Sequence, residues 1–167
     1  MKIDPNQPLA VYFAYLTKLY IGAVSKKLNT LEIDRYYYTL ITIHDHQPEI
    51  TQQQLADILQ TDKVTTFRVV DHFCKIGYVR REVNPEDRRS LYLYITPKGE
   101  KVIPEIKKTF KAMNSICLKG ISEEEKETFF KVLERIIENV EKEPRVSIKI
   151  NYKQEKSRKA NLSYAEE

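Results

Sequence analysis

Residues 83–99 read VNPEDRRSLYLYITPKG. Leu91, Leu93 and Ile95 alternate with Tyr92 and Tyr94, the period of two that marks a strand with one buried side. A partner strand is expected over 78–83, which leaves Asn84-Pro85 and the charged run Glu86-Asp87-Arg88-Arg89 at the turn of a β-hairpin. Arg80 and Arg81 flank its base, and Arg88 and Arg89 stand at its tip. A turn does not need guanidinium groups. The pair is either idle solvated charge or a reach toward something negative.

The sequence upstream supplies the setting. Gly77 ends a helix that starts after Asp62, because glycine accepts the left-handed conformation common just past a helix end and aspartate is a good N-cap. Before it, TQQQLADIL pairs Thr51 with Gln54 in a capping box and places Leu55, Ile58 and Leu59 on one face of a short helix. A helix over about 33–46 carries Tyr37, Leu40, Ile41 and His44 on one side, and Pro48 closes it. Leu9, Tyr12, Phe13, Leu16, Leu19, Tyr20, Val24 and Leu28 recur at intervals of three and four, a long amphipathic helix.

Downstream, one long helix is expected beyond Pro97, with Val102, Ile106, Phe110, Met113 and Cys117 in line. Ser122 with Glu125 opens a last helix whose stripe is Phe129, Leu133, Ile136, Ile137 and Val140, and Pro144 ends it. The expected fold is mainly α (α+β), a winged helix-turn-helix with long N- and C-terminal dimerisation helices. Its parts are an N-terminal dimerisation helix (1–32), a winged core (33–99), C-terminal dimerisation helices (100–143) and a basic tail or arm (144–167). The tail begins with a strand-like alternation at Val146, Ile148 and Ile150.

Composition narrows the class. The chain has 167 residues, 41% hydrophobic and 31% charged, as in a globular protein. No apolar run approaches the roughly 20 residues that cross a bilayer, and the N-terminus lacks the pattern of a secretory leader, so the cytoplasm is the expected location and no membrane partner is expected. The net charge is +4, of which residues 144–167 contribute +3 through six Lys or Arg against three Glu. Any basic surface on the body must therefore come from local segregation of charge.

Within the helix after Asp62, Thr66, Val69, Val70 and Phe73 share a packing face, while Lys63, Val64, Phe67, Arg68 and Asp71 face the other way. Such a helix can enter the major groove of DNA and present cations to phosphates and base edges. An arginine at a hairpin tip can enter the narrow minor groove alongside. The candidate DNA contacts are Lys63, Thr65, Thr66, Phe67, Arg68, His72, Arg81, Arg88 and Arg89, with Asp87 expected to orient an arginine fork. The competing reading is a solvated helix face and a surface Asp87–Arg88 pair worth under about 1 kcal/mol.

Residues 55–99, LADILQTDKVTTFRVVDHFCKIGYVRREVNPEDRRSLYLYITPKG, resemble the DNA-binding core of the MarR family of bacterial transcriptional regulators. The resemblance rests on Leu55-Ala56, Leu59, Thr65, Arg68, Val70-Asp71, Gly77, Val79, Arg81, Asp87-Arg88-Arg89, Leu93, Ile95, Thr96 and Gly99, in register without a gap. It implies a homodimer built by the terminal helices, two winged helices on a palindromic operator, and Arg89 as the wing-tip residue in the minor groove. Phe67, Val64 and Asp62 depart from the family pattern, which leaves the base preference of the helix open. The function expected is that of a double-stranded-DNA-binding regulator, a repressor released by a small aromatic ligand. The alternative is a winged helix used only for protein contacts, which an exposed Phe67 would favour.

The resemblance also places a ligand pocket between the first two helices and the helix after the wing. Tyr12, Tyr15, Tyr37, Tyr38 and His44 are its candidate lining, with core or dimer-seam packing as the equal alternative. His44 and His46 point to different sides of a helix and lack further ligands, so no metal or cofactor is expected. Cys74 and Cys117 read as packed thiols. Four glycines and no paired nucleophile give no enzyme signature.

Overall fold

The computed structural model describes residues 2–144, and the expected tail strand and basic arm lie outside the described residues. The element order is α1 (Leu9–Lys27), α2 (Tyr37–His46), α3 (Gln52–Ile58), α4 (Lys63–Lys75), β1 (Val79–Val83), β2 (Leu91–Ile95), α5 (Pro97–Glu100), α6 (Ile103–Cys117) and α7 (Glu123–Glu141). The helix-turn-helix is α3 and α4, and the wing is β1 and β2.

Local chemistry explains most of these boundaries. Thr51 and Gln54 form the expected capping box, as do Ser122 and Glu125. Asp62 accepts from the Thr65 amide at the start of α4, and Gly77 takes φ +74° just after its end. The wing strands pair antiparallel from Val79↔Ile95 to Val83↔Leu91. The Leu93 amide also donates to the Ile50 carbonyl at 2.9 Å, and Thr51 bridges Tyr92, so the segment just before α3 extends the wing sheet.

The core lies between α2, α4, the wing base and α6. Tyr37, Leu40, Ile43, Leu55, Val70, Phe73, Leu93 and Ile106 are buried there with Val24 and Leu28 from the end of α1. Fully burying each large apolar side chain contributes about 1.5–3 kcal/mol, which makes this cluster the main source of stability.

Two elements differ from expectation. The second helix begins at Tyr37, because Asp34 adopts φ +57° and residues 28–36 form turns that carry Ile33 into the core. The single helix expected beyond Pro97 is two. Thr96 caps α5 through the Gly99 amide and donates its hydroxyl hydrogen to the Gly77 carbonyl. A side chain at Gly99 would collide with the Tyr78 carbonyl, so α5 lies tight against the wing base. Pro104, which lacks an N–H, then sits in the first turn of a new helix, α6.

The terminal helices pack unevenly. Tyr20 of α1 stacks on Phe110 of α6 at 6.2 Å between ring centroids, and its hydroxyl donates to Asn114 Oδ1 at 2.8 Å. Burial raises the Tyr20 pKa. Among the residues of α7 none is buried, although Phe129, Phe130, Val132, Ile137 and Val140 are apolar and exposed.

Candidate nucleic-acid interface

The start of α4 is organised by Asp62. Its carboxylate accepts from the Thr65 amide at 2.9 Å and from the Thr65 hydroxyl at 2.7 Å, and these bonds hold its pKa below the usual carboxylate range. The negative charge is thus committed to the protein's own backbone. Beyond the cap, Lys63, Val64, Phe67 and Arg68 are exposed on the side of α4 opposite the core. Val69, Val70 and Phe73 are buried on the other side, as the periodicity predicts.

The wing tip uses the same device. Asn84 is buried; its amide donates to the Ser90 carbonyl at 3.1 Å, its side-chain Nδ2 to Ser90 Oγ at 3.0 Å, and its Oδ1 accepts from the Glu86 amide at 2.9 Å. Asp87 Oδ1 accepts from the Arg89 amide at 3.0 Å, and the Asp87 carbonyl accepts from the Ser90 amide and hydroxyl. Asp87 therefore orients the turn backbone, not an arginine fork, which corrects the expectation. The side chains of Arg88 and Arg89 project outward, and no acidic group among the described residues pairs with them, with Lys63 or with Arg68. Asn84 is the brace of the turn, and its only signal in the sequence is the Asn-Pro at the mouth of the turn.

The helix-turn-helix and the wing meet at a cleft of about 290 Å³ lined by Thr51, Gln52, Gln53, Lys63, Arg89, Ser90 and Leu91. Lys63 from α4 and Arg89 from the wing thus share one surface with the first turn of α3, whose free amides also favour anions.

Other candidates are placed differently. Thr66 is only 2% exposed, and its hydroxyl bonds to the Thr61 hydroxyl and the Asp62 carbonyl, so it is an internal brace, not a DNA contact. Thr65 spends its hydroxyl on Asp62. His72 Nε2 donates to the Glu32 carbonyl at 2.6 Å, tying α4 to the turns before α2 and committing one of its ring nitrogens to the protein's own backbone. Arg81 is turned inward: its guanidinium lies 5.2 Å from the Phe67 ring centroid and 3.6 Å from Asp71. Arg80 pairs with Glu82 and stacks over Tyr94.

The five side chains expected to line a ligand pocket sit in different surroundings. Tyr37, at 1% exposure, fills the core, whereas Tyr15 and Tyr38 are exposed. Tyr12 exchanges hydrogen bonds with the Asp4 backbone. His44 lies between Asp45 at 2.6 Å and Glu100 at 3.4 Å, and Lys107 holds Asp45 so that its pKa falls. Cys74 is half-buried and burial raises its thiol pKa, whereas Cys117 is exposed, contrary to the packed position expected for it. Among the described residues no cluster of three or more His, Cys, Asp or Glu could hold a metal ion, and no helix is long and apolar enough to cross a membrane.

Residues 36–91, which span α2 to the start of β2, match the sequence profile of the MarR family. The chain carries a MarR-family domain. The HTH-type transcriptional regulator YybA of Bacillus subtilis (strain 168) is 28% identical over 132 residues, covering 74% of this chain and 87% of that one. A crystal structure of MarR superposes with a TM-score of 0.72 at 28% identity over 84% of this chain and 95% of its own. The S. aureus MepR–DNA complex shares the fold, with a TM-score of 0.75 at 21% identity over 80% of this chain and 99% of its own. The MarR-family domain here thus includes all of α4 and the wing tip, the two places where unpaired cations gather.

Proposed function

We propose that the protein is a homodimeric, sequence-specific, double-stranded-DNA-binding transcriptional regulator that represses by occupying a palindromic operator. The observation that carries this reading is the set of four exposed cations, Lys63 and Arg68 on α4 and Arg88 and Arg89 at the wing tip, while the nearby acids Asp62 and Asp87 are committed to backbone amides. Exposed unpaired cations beside a helix N-terminus suit a polyanion, because each phosphate neutralised releases a condensed counterion. In this reading α4 enters the major groove, with Lys63 and Arg68 at phosphates and base edges, and Arg89 reaches the minor groove. The S. aureus MepR structure, which shares the fold, is a complex with DNA, and this is consistent with the reading.

The homodimer is supported by the exposed apolar residues of α7 and of the first half of α1, including Leu9, Phe13, Leu16 and Leu19. Apolar surface on that scale is normally covered by a partner. A two-fold dimer would set its α4 helices about 34 Å apart, one turn of B-DNA.

The competing reading, a protein-interaction module, draws on the exposure of Phe67, at 53%. A fluorescence anisotropy titration with the DNA upstream of the protein's own gene, at two salt concentrations, separates the two. Tight, salt-sensitive, palindrome-dependent binding is expected. No preference over random duplex at either salt would defeat the DNA reading.

A further inference from the structure

Phe67 departs from the charged character of the surface around it. With Val64, one helical turn earlier and also exposed, it forms an apolar ridge on the solvent side of α4, between Lys63 and Arg68. The ring is not loose. The Arg81 guanidinium lies 5.2 Å from its centroid, Arg81 Nη1 lies 3.6 Å from Asp71 Oδ1, and Lys75 Nζ holds Asp71 from the other side at 2.9 Å. Arg81 Nε and Nη2 are buried without a hydrogen-bond acceptor, so the ring of Phe67 is the electron-rich face offered to that cation. The wing strand β1 therefore fixes an aromatic side chain of α4 that points away from the core. A side chain ordered in advance loses less freedom when it meets a ligand.

Within the major groove, thymine alone displays a methyl group, the natural partner for an apolar side chain. We infer that Phe67, supported by Val64, determines base preference by packing on a thymine methyl in each half-site, and that Arg81 is the positioning residue that holds the ring for this contact. Arg81 itself touches no phosphate. The inference rests on the DNA-binding reading above and adds to it the chemical feature of the operator that α4 selects. The flanking cations Lys63 and Arg68 would engage phosphates and base edges on either side of the ridge.

The test begins with a duplex recovered by in-vitro selection from a random library using the full chain. Each thymine of the half-sites is then replaced by deoxyuridine, which removes only the methyl group. Wild-type protein is expected to bind about fourfold more weakly for each half-site methyl that Phe67 covers. Phe67→Ala should be indifferent to the same replacement. Arg81→Met should shrink the methyl effect while leaving the salt dependence of binding unchanged, which a general loss of structure would not do. The inference is overturned if the wild type tolerates deoxyuridine at every half-site thymine, or if Phe67→Ala keeps the wild-type methyl effect. Selection that recovers no salt-sensitive duplex would defeat the DNA-binding reading, and this inference with it.

Discussion

Helices α4 and α7 are both amphipathic, and the protomer treats them in opposite ways. In α4 the apolar face is buried against the core and the exposed face is cationic around a small apolar ridge. In α7 no residue is buried, and the apolar stripe that should be covered faces outward. An exposed cationic face costs little in water and gains when a polyanion displaces its counterions. An exposed apolar stripe carries the full cost of hydration until another apolar surface covers it. The first face is stable in water as it stands; the second, on the proposed reading, is half of a dimer interface.

The largest expected effect breaks the α7 side. Phe129→Glu combined with Ile137→Glu should convert the proposed dimer to a monomer in size-exclusion chromatography with light scattering. DNA affinity should fall about 10²- to 10⁴-fold, because two linked half-site interactions become one. The helical circular dichroism of each protomer should persist, since neither side chain is buried within it. A variant that stays dimeric would mean that α7 is not the seam.

On the α4 side, Arg68→Ala should cost about 1–3 kcal/mol of binding and relax discrimination at one position in each half-site. Competition titrations with single-base variants of the operator would show it. A uniform loss across all sequences would reassign Arg68 from bases to phosphates.

Arg89→Ala should weaken binding more evenly and reduce the slope of log affinity against log salt by about 0.9 for each phosphate that the variant no longer neutralises. An unchanged slope would remove the wing from the DNA backbone. Neither arginine variant should change the dimer mass, which keeps the two faces separable.

The smallest expected effect concerns the cap of α4. The Thr65 amide and hydroxyl hold the Asp62 carboxyl below its unfolded pKa. The stabilisation is therefore fully present above that ordinary value, about 3.9, and is lost as pH falls through the lower folded value. Thermal melts of wild type and Asp62→Asn should differ at neutral pH and converge in acid. Parallel curves at all pH values would show that the charge of the cap contributes nothing.

Local chemistry made much of this legible in advance. The capping pairs Thr51–Gln54 and Ser122–Glu125, the Asp62 cap and the left-handed Gly77 each depend on residues within a few positions of one another. The wing strands and the outward Arg88-Arg89 tip follow from alternation and turn residues alone. What failed to show involved competition for polar groups, in part within a turn and in part between elements far apart along the chain. Thr66 read as a candidate DNA contact because its hydroxyl is polar, yet Thr61 and the Asp62 carbonyl claim it. His72, read as a candidate phosphate contact, commits Nε2 to a carbonyl forty positions away. One helix is expected beyond Pro97; the close approach of Gly99 to the Tyr78 backbone accounts for α5 as a separate turn, with Pro104 in the first turn of α6.

The amino-acid order by itself determined the elements, their caps, the inward and outward faces of α4 and the membership of the central segment in its family. It could do so because hydrophobic periodicity and capping are interactions among near neighbours along the chain. Only the tertiary structure decided that the Arg81 guanidinium lies against the Phe67 ring, that Tyr37 fills the core while Tyr15 and Tyr38 stay exposed, and that α7 is left uncovered. These depend on which distant groups reach a side chain first, and burial settles that competition between elements far apart in sequence.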